Sequence, residues 1–332
     1  MGVLVGVDIG GTKTAVVLGR PRNDTLDIID RAVFLTEPGV LSWRDAVGRV
    51  VDTAHQLLRK HAAAAGSVAG IGISCGGPLD SKAGLIQSPP NLPGWADVPI
   101  TLELERALGV RAFLQNDANA CALAEWRFGA GRGTRNMVFL TFGTGMGAGL
   151  ILDGRLYEGT NGLAGEAGHI RLAADGPEGY GKRGSFEGYC SGGGIARLAR
   201  SEAEKRLAAG QPVAFCQGTQ ALAGISAEAV GRSAEAGDPL ALEIFALSGT
   251  FLGRALALII DLLNPQRIVI GSVYARCRRF IEPSMKEEIA REALAPAAQV
   301  CEVVPAVLGE TIGDYACLSA AMGAGTRERE EQ

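Results

Sequence analysis

The segment 8–14, with the sequence DIGGTKT, constrains the fold of this chain more than any other part of it. It lies between two apolar runs, 3–7 and 15–18, so the pattern predicts a buried strand, a glycine turn and a second strand. Glycine lets backbone N–H groups approach an anion closely, and a carboxylate such as Asp8 at a strand end suits hydrated Mg²⁺. The segment is therefore suited to binding the phosphates of a nucleotide, but two glycines followed by threonine are also typical of an ordinary hairpin turn.

The composition is typical of an ordinary, mildly acidic cytosolic enzyme. Its 332 residues suffice for about two domains, and the net charge of −4 argues against a nucleic-acid partner. The seven cysteines are scattered without a CxxC pair, which disfavours disulfides and fits a reducing cytoplasm. The apolar stretches 137–152 and 252–263 are too short or too interrupted to span a bilayer. We therefore expect a cytoplasmic protein with no nucleic acid and no membrane as partner.

The first half of the chain alternates strand and helix patterns in an order that predicts a mixed sheet with helices on its faces. The predicted strands are 3–8, 14–19, 27–35, 68–75 and 111–115; the predicted helices are 43–65, 100–108 and one from 117; 76–99 is a predicted loop rich in Pro and Gly.

The second half repeats this order. A predicted strand at 136–142, a glycine turn at 143–149 and a returning strand at 150–152 echo DIGGTKT about 130 residues later, which is the size of one domain. Further predictions are helices at 193–208, 238–263 and 281–292, a short helix and turn at 226–237, strands at 267–271 and 299–305, a helix from 311, and fraying at 326–332. Two such halves predict two related domains with a cleft between them. A Rossmann fold fits less well, because the first glycine loop leads into a strand, whereas GxGxxG should open a helix. A P-loop is excluded, because the sequence lacks GxxxxGK[ST].

Four polar segments lie between the halves, at 76–78, 90–95, 115–119 and 165–169. They alternate donors and acceptors on turns, as a ligand with several hydroxyls requires. Asp117 begins a predicted helix, where it could simply cap the N-terminus. It could equally accept the proton of a hydroxyl that attacks a γ-phosphate, or share these two roles with Asn116.

In combination, several motifs resemble the ROK family of sugar kinases and sugar-responsive repressors: DIGGTKT, GGPLD…PPNLPGW, QNDANACALAE, LTFGTGMGAGLILDGRLYEGTNGLAGEAGH and FEGYCSGGGI. The resemblance implies a duplicated actin-like (ribonuclease H-like) α/β ATPase fold. Its smaller domain would comprise 1–117 plus 311–332, and its larger domain 118–310. Asp8 would hold Mg²⁺ through water. ATP would be held by Gly10, Gly11, Thr12, Lys13, Thr14, Gly143, Thr144 and Gly145, with Gly271 near adenosine. The sugar would be bound by Gly77, Asn91, Asn116, Asp117, Glu166, His169 and Glu187.

The activity implied by this resemblance is ATP-dependent phosphorylation of a hexose, most simply the 6-hydroxyl of glucose, with Asp117 as general base. The alternatives are an N-acetylglucosamine, N-acetylmannosamine or fructose kinase, and a catalytically silent sugar-binding protein. Some relatives use polyphosphate instead of ATP. A DNA-binding repressor is disfavoured, because the first strand begins at residue 3. A homodimer is expected from the family and from the frequency of two-fold assemblies.

The chain departs from the family in the loop that usually binds structural zinc. The three cysteine positions carry Glu178, Tyr180 and Ser185, a poor zinc set together with His169, so no zinc is expected. His169 would then contact the sugar or form a hydrogen bond inside its loop, and packing by Tyr180 and Phe186 would have to replace the metal. A second departure is Gly271-Ser272-Val273, where the family more often continues with glycines.

Overall fold

The computed structural model describes residues 2–61 and 67–323 and contains two five-stranded sheets. The strands of the first sheet are β1 (Val3–Ile9), β2 (Lys13–Arg22), β3 (Thr25–Leu35), β4 (Val68–Cys75) and β7 (Ala112–Asn116). Their order is β3-β2-β1-β4-β7, with β1 antiparallel to β2 and parallel to β4. A mixed sheet was predicted, and it is confirmed.

The second sheet has the same topology. Its strands are β8 (Met137–Leu140), β9 (Ala148–Leu152), β10 (Arg155–Tyr157), β13 (Arg267–Ile270) and β14 (Glu302–Pro305), in the order β10-β9-β8-β13-β14. Here too an antiparallel hairpin, β8 and β9, stands beside two parallel strands. The predicted duplication is therefore visible strand by strand.

Helices cover both sheets. They are α1 (Trp43–Lys60), α2 (Ile100–Leu108), α3 (Asp117–Phe128), α4 (Phe186–Tyr189), α5 (Gly192–Ala208), α6 (Ala227–Glu235), α7 (Pro239–Leu263), α8 (Val273–Glu292), α9 (Ala295–Gln299) and α10 (Ile312–Met322). α1 shows how the sequence selects them. Ser42 caps its N-terminus by accepting from Asp45 N, and its apolar residues fall on one buried face.

The final helix, α10, returns to the first sheet. Its backbone contacts β4 at Gly72, where a Cβ would overlap the carbonyl oxygen of Cys317. A Cβ at Gly19 would lie 2.6 Å from Leu318 Cδ1. Small residues on β1, β2 and β4 thus let a helix backbone approach the sheet closely. α3 uses the same device on the second sheet, since a Cβ at Gly149 would lie 2.5 Å from Ala122 Cβ.

Helix α7 is the core helix of the second half. By length and composition it could cross a membrane, but 56% of its most apolar window is buried inside the protein. Fully buried residues along it, including Phe245, Leu252 and Ala255, join one cluster with Val138 and Ile268 of the second sheet. Burial in this cluster, chiefly against α8 and neighbouring helices, accounts for its apolar character.

Some predicted elements differ from the structure. The predicted loop 76–99 contains a small hairpin, β5 (Leu79–Asp80) and β6 (Leu85–Ile86), and a second hairpin pairs β11 (Glu178–Gly179) with β12 (Lys182–Arg183). The prediction of a helix from 281 was wrong at its start, because α8 runs through from Val273 with a kink at Cys277. The predicted strand 299–305 begins only at Glu302. Helix α1 ends at Lys60, and the predicted extension over 62–65 and the end 326–332 lie outside the described residues.

Candidate active site

The parallel strands of the first sheet end side by side. In the register, Asp8 of β1 is paired with Ser74 of β4, and Ser74 with Gln115 of β7. Asp117 follows two residues after Gln115 at the start of α3. Because ligands of open α/β sheets bind beyond the carboxyl ends of the strands, this edge is the expected site, and the predicted residues Asp8, Asn116 and Asp117 all lie on it.

Asp8 is half-buried, and its surroundings disfavour its charge. Burial raises its pKa from 3.8 to about 6, the Ser74 hydroxyl opposes this by hydrogen bonding, and the negative charges of Asp117 and Asp314 add to it. Arg31, whose Nε donates to Asp314 Oδ1 at 2.8 Å, acts in the other direction. Asp8 lies near the carboxylates of Asp117 and Asp314, and no ion pair of its own is seen among the described residues. Such a carboxylate is suited to binding a cation.

The first glycine turn is supported from below by Thr36. The Thr36 hydroxyl donates to Gly10 O at 2.7 Å and lies 2.9 Å from the hydroxyl of Thr14. Thr14 is buried, so its hydroxyl supports the turn, whereas Thr12 and Lys13 are exposed beside it.

The turn meets the predicted sugar segment at Asn91. A Cβ at Gly11 would lie 2.6 Å from Asn91 O, and a Cβ at Gly76 would lie 3.7 Å from Asn91 Nδ2 and 3.8 Å from Asp117 Oδ2. A Cβ at Gly77 would lie 3.5 Å from Asn116 Nδ2. The structure thus brings the predicted residues Gly11, Gly77, Asn91, Asn116 and Asp117 into one small region.

Asn116, rather than Asp117, takes the N-cap position of α3. Its Oδ1 accepts from Ala118 N at 3.0 Å and from Asn119 N at 3.4 Å. Asp117 Oδ1 accepts from Ala118 N at 2.8 Å, and its side chain opens to solvent. The protein around it removes enough water to raise its pKa, although two backbone N–H groups oppose this. A carboxylate with a raised pKa that solvent can reach is suited to accepting a proton.

The second glycine turn, 143–147, lies beside α3 and is fixed by Glu187. Glu187 Oε2 accepts from Met146 N at 3.0 Å and would lie 2.8 Å from a Cβ at Gly145. A Cβ at Gly147 would lie 3.3 Å from Ala118 Cβ, one residue from Asp117. The carboxylate of Glu187, predicted as a sugar ligand, therefore contacts the second glycine turn.

Two helix N-termini converge on this second turn. Gly192 N at the start of α5 donates to Gly143 O at 2.7 Å, and a Cβ at Gly143 would lie 3.9 Å from Ser272 Oγ, the N-cap of α8. The exposed Thr144 also contacts α5, since Gly193 N donates to Thr144 O at 3.3 Å. The dipoles of the two helices favour negative charge at their N-termini, so this place suits phosphates.

The ROK family model matches residues 4–321. The chain belongs to the ROK family. A glucokinase of Thermotoga maritima is 32% identical to this ROK protein over 315 residues, covering 93% of this chain and 94% of the relative. Among solved structures, the ROK hexokinase of Thermus thermophilus is 28% identical with a TM-score of 0.78, covering 98% of this chain and 99% of that one. A ROK family glucokinase from Streptomyces griseus, in complex with glucose and AMPPNP, is 28% identical with a TM-score of 0.73, covering 97% and 98%. The actin-like ATPase fold is confirmed.

Other ROK relatives carry different names. The bifunctional enzyme NanE/NanK of Brucella melitensis is 32% identical over 312 residues, which is 93% of this chain and 52% of the enzyme. The DNA-binding transcriptional repressor Mlc of Escherichia coli is 28% identical over 255 residues, which is 76% of this chain and 60% of the repressor. Membership of the family therefore leaves the sugar open.

The loop that binds zinc in many ROK proteins is held here by hydrogen bonds and packing. Ser185, at a family cysteine position, is fully buried, accepts from Gly188 N at 3.1 Å and caps α4. Phe186 is also fully buried, as the sequence suggested. Tyr180 does not pack inside; it is 67% exposed, and its ring stands edge-on to His169 at 5.1 Å.

His169 itself is exposed, and the structure does not bring it or Glu166 into contact with Asp117. Over residues 2–61 and 67–323, no group of three or more His, Cys, Asp or Glu side chains is arranged to hold a metal. The absence of zinc stays a prediction.

Sequence reasoning missed three residues that shape this site: Thr36, Ser74 and Ser272. None belongs to a quoted motif, and each contacts the site through its side-chain hydroxyl at or beside a strand end. Gly271, predicted near adenosine, is tied into the second sheet by its N–H to Leu140 O at 3.0 Å. The next residue, Ser272, reaches the turn instead.

Proposed function

We propose that this ROK protein transfers the γ-phosphoryl group of ATP to the 6-hydroxyl of glucose, with Asp117 as the general base. This ROK protein is a sugar kinase, since its glucokinase relatives and the ROK kinase structures match it along nearly its whole length. The observation that carries the finer proposal is the position of Asp117. It lies next to Gly76 and Asn91 on one side and, through Ala118, next to the second glycine turn on the other.

In this proposal the acceptor hydroxyl lies at Asp117 Oδ2. Asn91, Asn116, Glu166 and His169 would bind the other hydroxyls, and Asp117 would take the proton as the oxygen attacks phosphorus. Phosphoryl transfer needs mainly positioning and charge neutralisation, which a base and backbone donors can provide. The raised pKa of Asp117 brings its basicity closer to that of a hydroxyl in the transition state.

The residues at the nucleotide side fit a MgATP complex. Asp8 is a half-buried carboxylate beside the first turn, and Mg²⁺ favours one or two carboxylates together with substrate phosphates. When bound, Mg²⁺ would neutralise charge on the transferred phosphoryl group. The turns at 10–13 and 143–145 would hold the phosphates, with Gly271 and Ser272 toward adenosine. AMPPNP in the Streptomyces griseus neighbour supports ATP rather than polyphosphate as the donor.

The domains we propose are 1–117 with 311–332, and 118–310. Their closure on the sugar would exclude water from the phosphoryl group. We expect a homodimer in the cytoplasm. The second candidate function is an N-acetylhexosamine kinase, which the similarity to NanE/NanK favours. A catalytically silent sugar-binding protein is the third.

The test is ADP release with a panel of hexoses and N-acetylhexosamines, for the wild type, Asp117→Asn and a matched control, Asp153→Asn. Asp153 is an exposed aspartate whose only described ion pair is with Arg135. We expect glucose to give the highest kcat/KM, and Asp117→Asn to lose about 10²–10⁴-fold in kcat while still binding sugar. Turnover that survives Asp117→Asn would refute the base. Sugar binding without turnover in the wild type would favour the silent protein.

A further inference from the structure

Glu158 lies where the second half of the chain touches the first, outside every residue assigned above. It follows β10 and leaves the second sheet, and its backbone O accepts from Ala164 N at 3.1 Å. This bond closes the loop 159–163, which leads directly to the polar turn 165–169. The backbone of Glu158 thus belongs to the larger domain and to its sugar-side loop.

The side chain of Glu158 reaches the other domain. Its Oε1 accepts from Ser81 Oγ at 3.0 Å and from Gln115 Nε2 at 3.1 Å. Ser81 lies in the β5–β6 hairpin, just after the 76–78 turn, and Gln115 lies two residues before Asp117. We call these three side chains the Glu158 bridge. It joins three segments that surround the proposed sugar site.

The bridge also fixes the orientation of the Gln115 amide. An ionised carboxylate can only accept, so Glu158 draws the Nε2 end of the amide toward itself. The carbonyl end then points the other way, and Gln115 Oε1 accepts from Asn116 N at 2.8 Å and from Asn119 Nδ2 at 3.2 Å. Asn116 caps α3, whose first residue is Asp117. Glu158 thus fixes which end of the Gln115 amide faces Asn116, and this contact helps to position the turn that carries the proposed base.

We infer that Glu158 is a positioning residue for phosphoryl transfer, because its carboxylate links the two domains on the sugar side and orients the Asn116–Asp117 turn through Gln115. This inference rests on the proposed function. Glu158 touches no reacting atom, so its loss should misplace the base without weakening nucleotide binding.

The test compares kcat, the KM for sugar and the KM for ATP of Glu158→Ala, Glu158→Gln and Glu158→Lys with those of the wild type. The matched control is Glu228→Lys, a glutamate whose described ion pair is an exposed one with Arg232 on α6. Because a displacement of about 1 Å can cost about 100-fold, we expect Glu158→Ala to lose about 10- to 100-fold in kcat. Glu158→Gln should recover most of this, since its carbonyl can still accept. Glu158→Lys should be worst, because a donor reverses the Gln115 amide. KM for ATP should stay near the wild-type value.

Ser81→Ala removes only the Ser81–Glu158 hydrogen bond and therefore disturbs the same bridge less. If the bridge acts as a unit, Ser81→Ala should reduce kcat less than Glu158→Ala, and the double variant should be no worse than Glu158→Ala alone. The inference is overturned if Glu158→Lys keeps the wild-type kcat, if the two losses simply multiply, or if KM for ATP rises as much as kcat falls.

Failure of the proposed function has a different signature, because the wild type itself would then turn over no sugar. The bridge is tested in that case by amide hydrogen exchange. Glu158→Lys should speed exchange at Asn116 and in the first turn of α3, while Glu228→Lys should leave it unchanged. Equal exchange in all three proteins would overturn the bridge.

Discussion

Replacing Asp8 by asparagine is expected to stabilise this protein while removing the carboxylate that we propose as its magnesium ligand. The pKa of Asp8 rises from 3.8 to about 6 in the folded protein, chiefly because of burial. At about 1.36 kcal/mol per pKa unit, the ionised carboxylate costs the folded state about 3 kcal/mol at pH 7.5. Asparagine carries no charge and can still accept from Ser74. Since it keeps part of the desolvation cost, we expect a gain in the free energy of unfolding of about 2 kcal/mol.

The pH dependence of the stability difference between wild type and Asp8→Asn shows whether the buried charge of Asp8 is its cause. An acid whose folded pKa lies above its unfolded pKa lowers stability as pH rises through that interval. The advantage of Asp8→Asn should therefore be absent near pH 4, grow until about pH 6 and stay constant above it. Urea unfolding of both proteins without Mg²⁺ or nucleotide, at a series of pH values, measures this difference. An equal gain at pH 4 and pH 8, or no gain at pH 8, would refute the electrostatic explanation.

The same pair of proteins separates stability from function. Adding MgATP should raise the unfolding midpoint of the wild type much more than that of Asp8→Asn, because only the wild type has the carboxylate for the metal. Asp8→Asn should also lose kinase activity. A gain in stability together with a loss of activity is typical of a residue retained for function.

Three further predictions concern packing, strain and metal content. Gly72→Ala should destabilise the protein by about 1–3 kcal/mol, because its methyl group would overlap Cys317 O. The control Gly48→Ala, in open space on α1, should be neutral or slightly stabilising, and urea unfolding measures both. Ser272→Gly should stabilise by about 1 kcal/mol, since φ 51° and ψ −113° strain any residue with a Cβ, and an unchanged unfolding midpoint would contradict this. Metal analysis of the purified protein should find no stoichiometric zinc, and about one zinc per chain would show that the loop 178–187 binds it after all.

The sequence predicted most of the fold because the strands of both sheets are apolar runs bounded by glycine. The strand 68–75 and the helix 100–108 were predicted with the bounds that the structure gives. The start of α8 was missed, because 273–280 carries three arginines in its exposed stretch and Pro283 resembles a helix start. Tertiary packing, which buries Val273 and Tyr274, overrides these local signals.

The site was predictable only where it is made of motifs. The glycine turns, Asn91, Asn116 and Asp117 have a local pattern, and the structure places them together. Glu158 lies inside a quoted motif but was given no role, because its importance comes from contacts with Ser81 and Gln115, which are 77 and 43 residues away. Contacts between side chains of distant segments produce no recognisable pattern in the sequence, so only the structure reveals them.

The return of α10 to the first sheet has a consequence for how the chain folds as it is synthesised. Arg31 and its partner Asp314 are 283 residues apart. At Gly6 and Gly72 the atoms nearest to an added Cβ all belong to α10, so this helix covers that face of β1 and β4. The strands of the second sheet, by contrast, are complete at Pro305. We therefore expect the later half to fold first on the ribosome. The earlier half would meanwhile hold an open apolar face that a chaperone can shield until the last helix emerges.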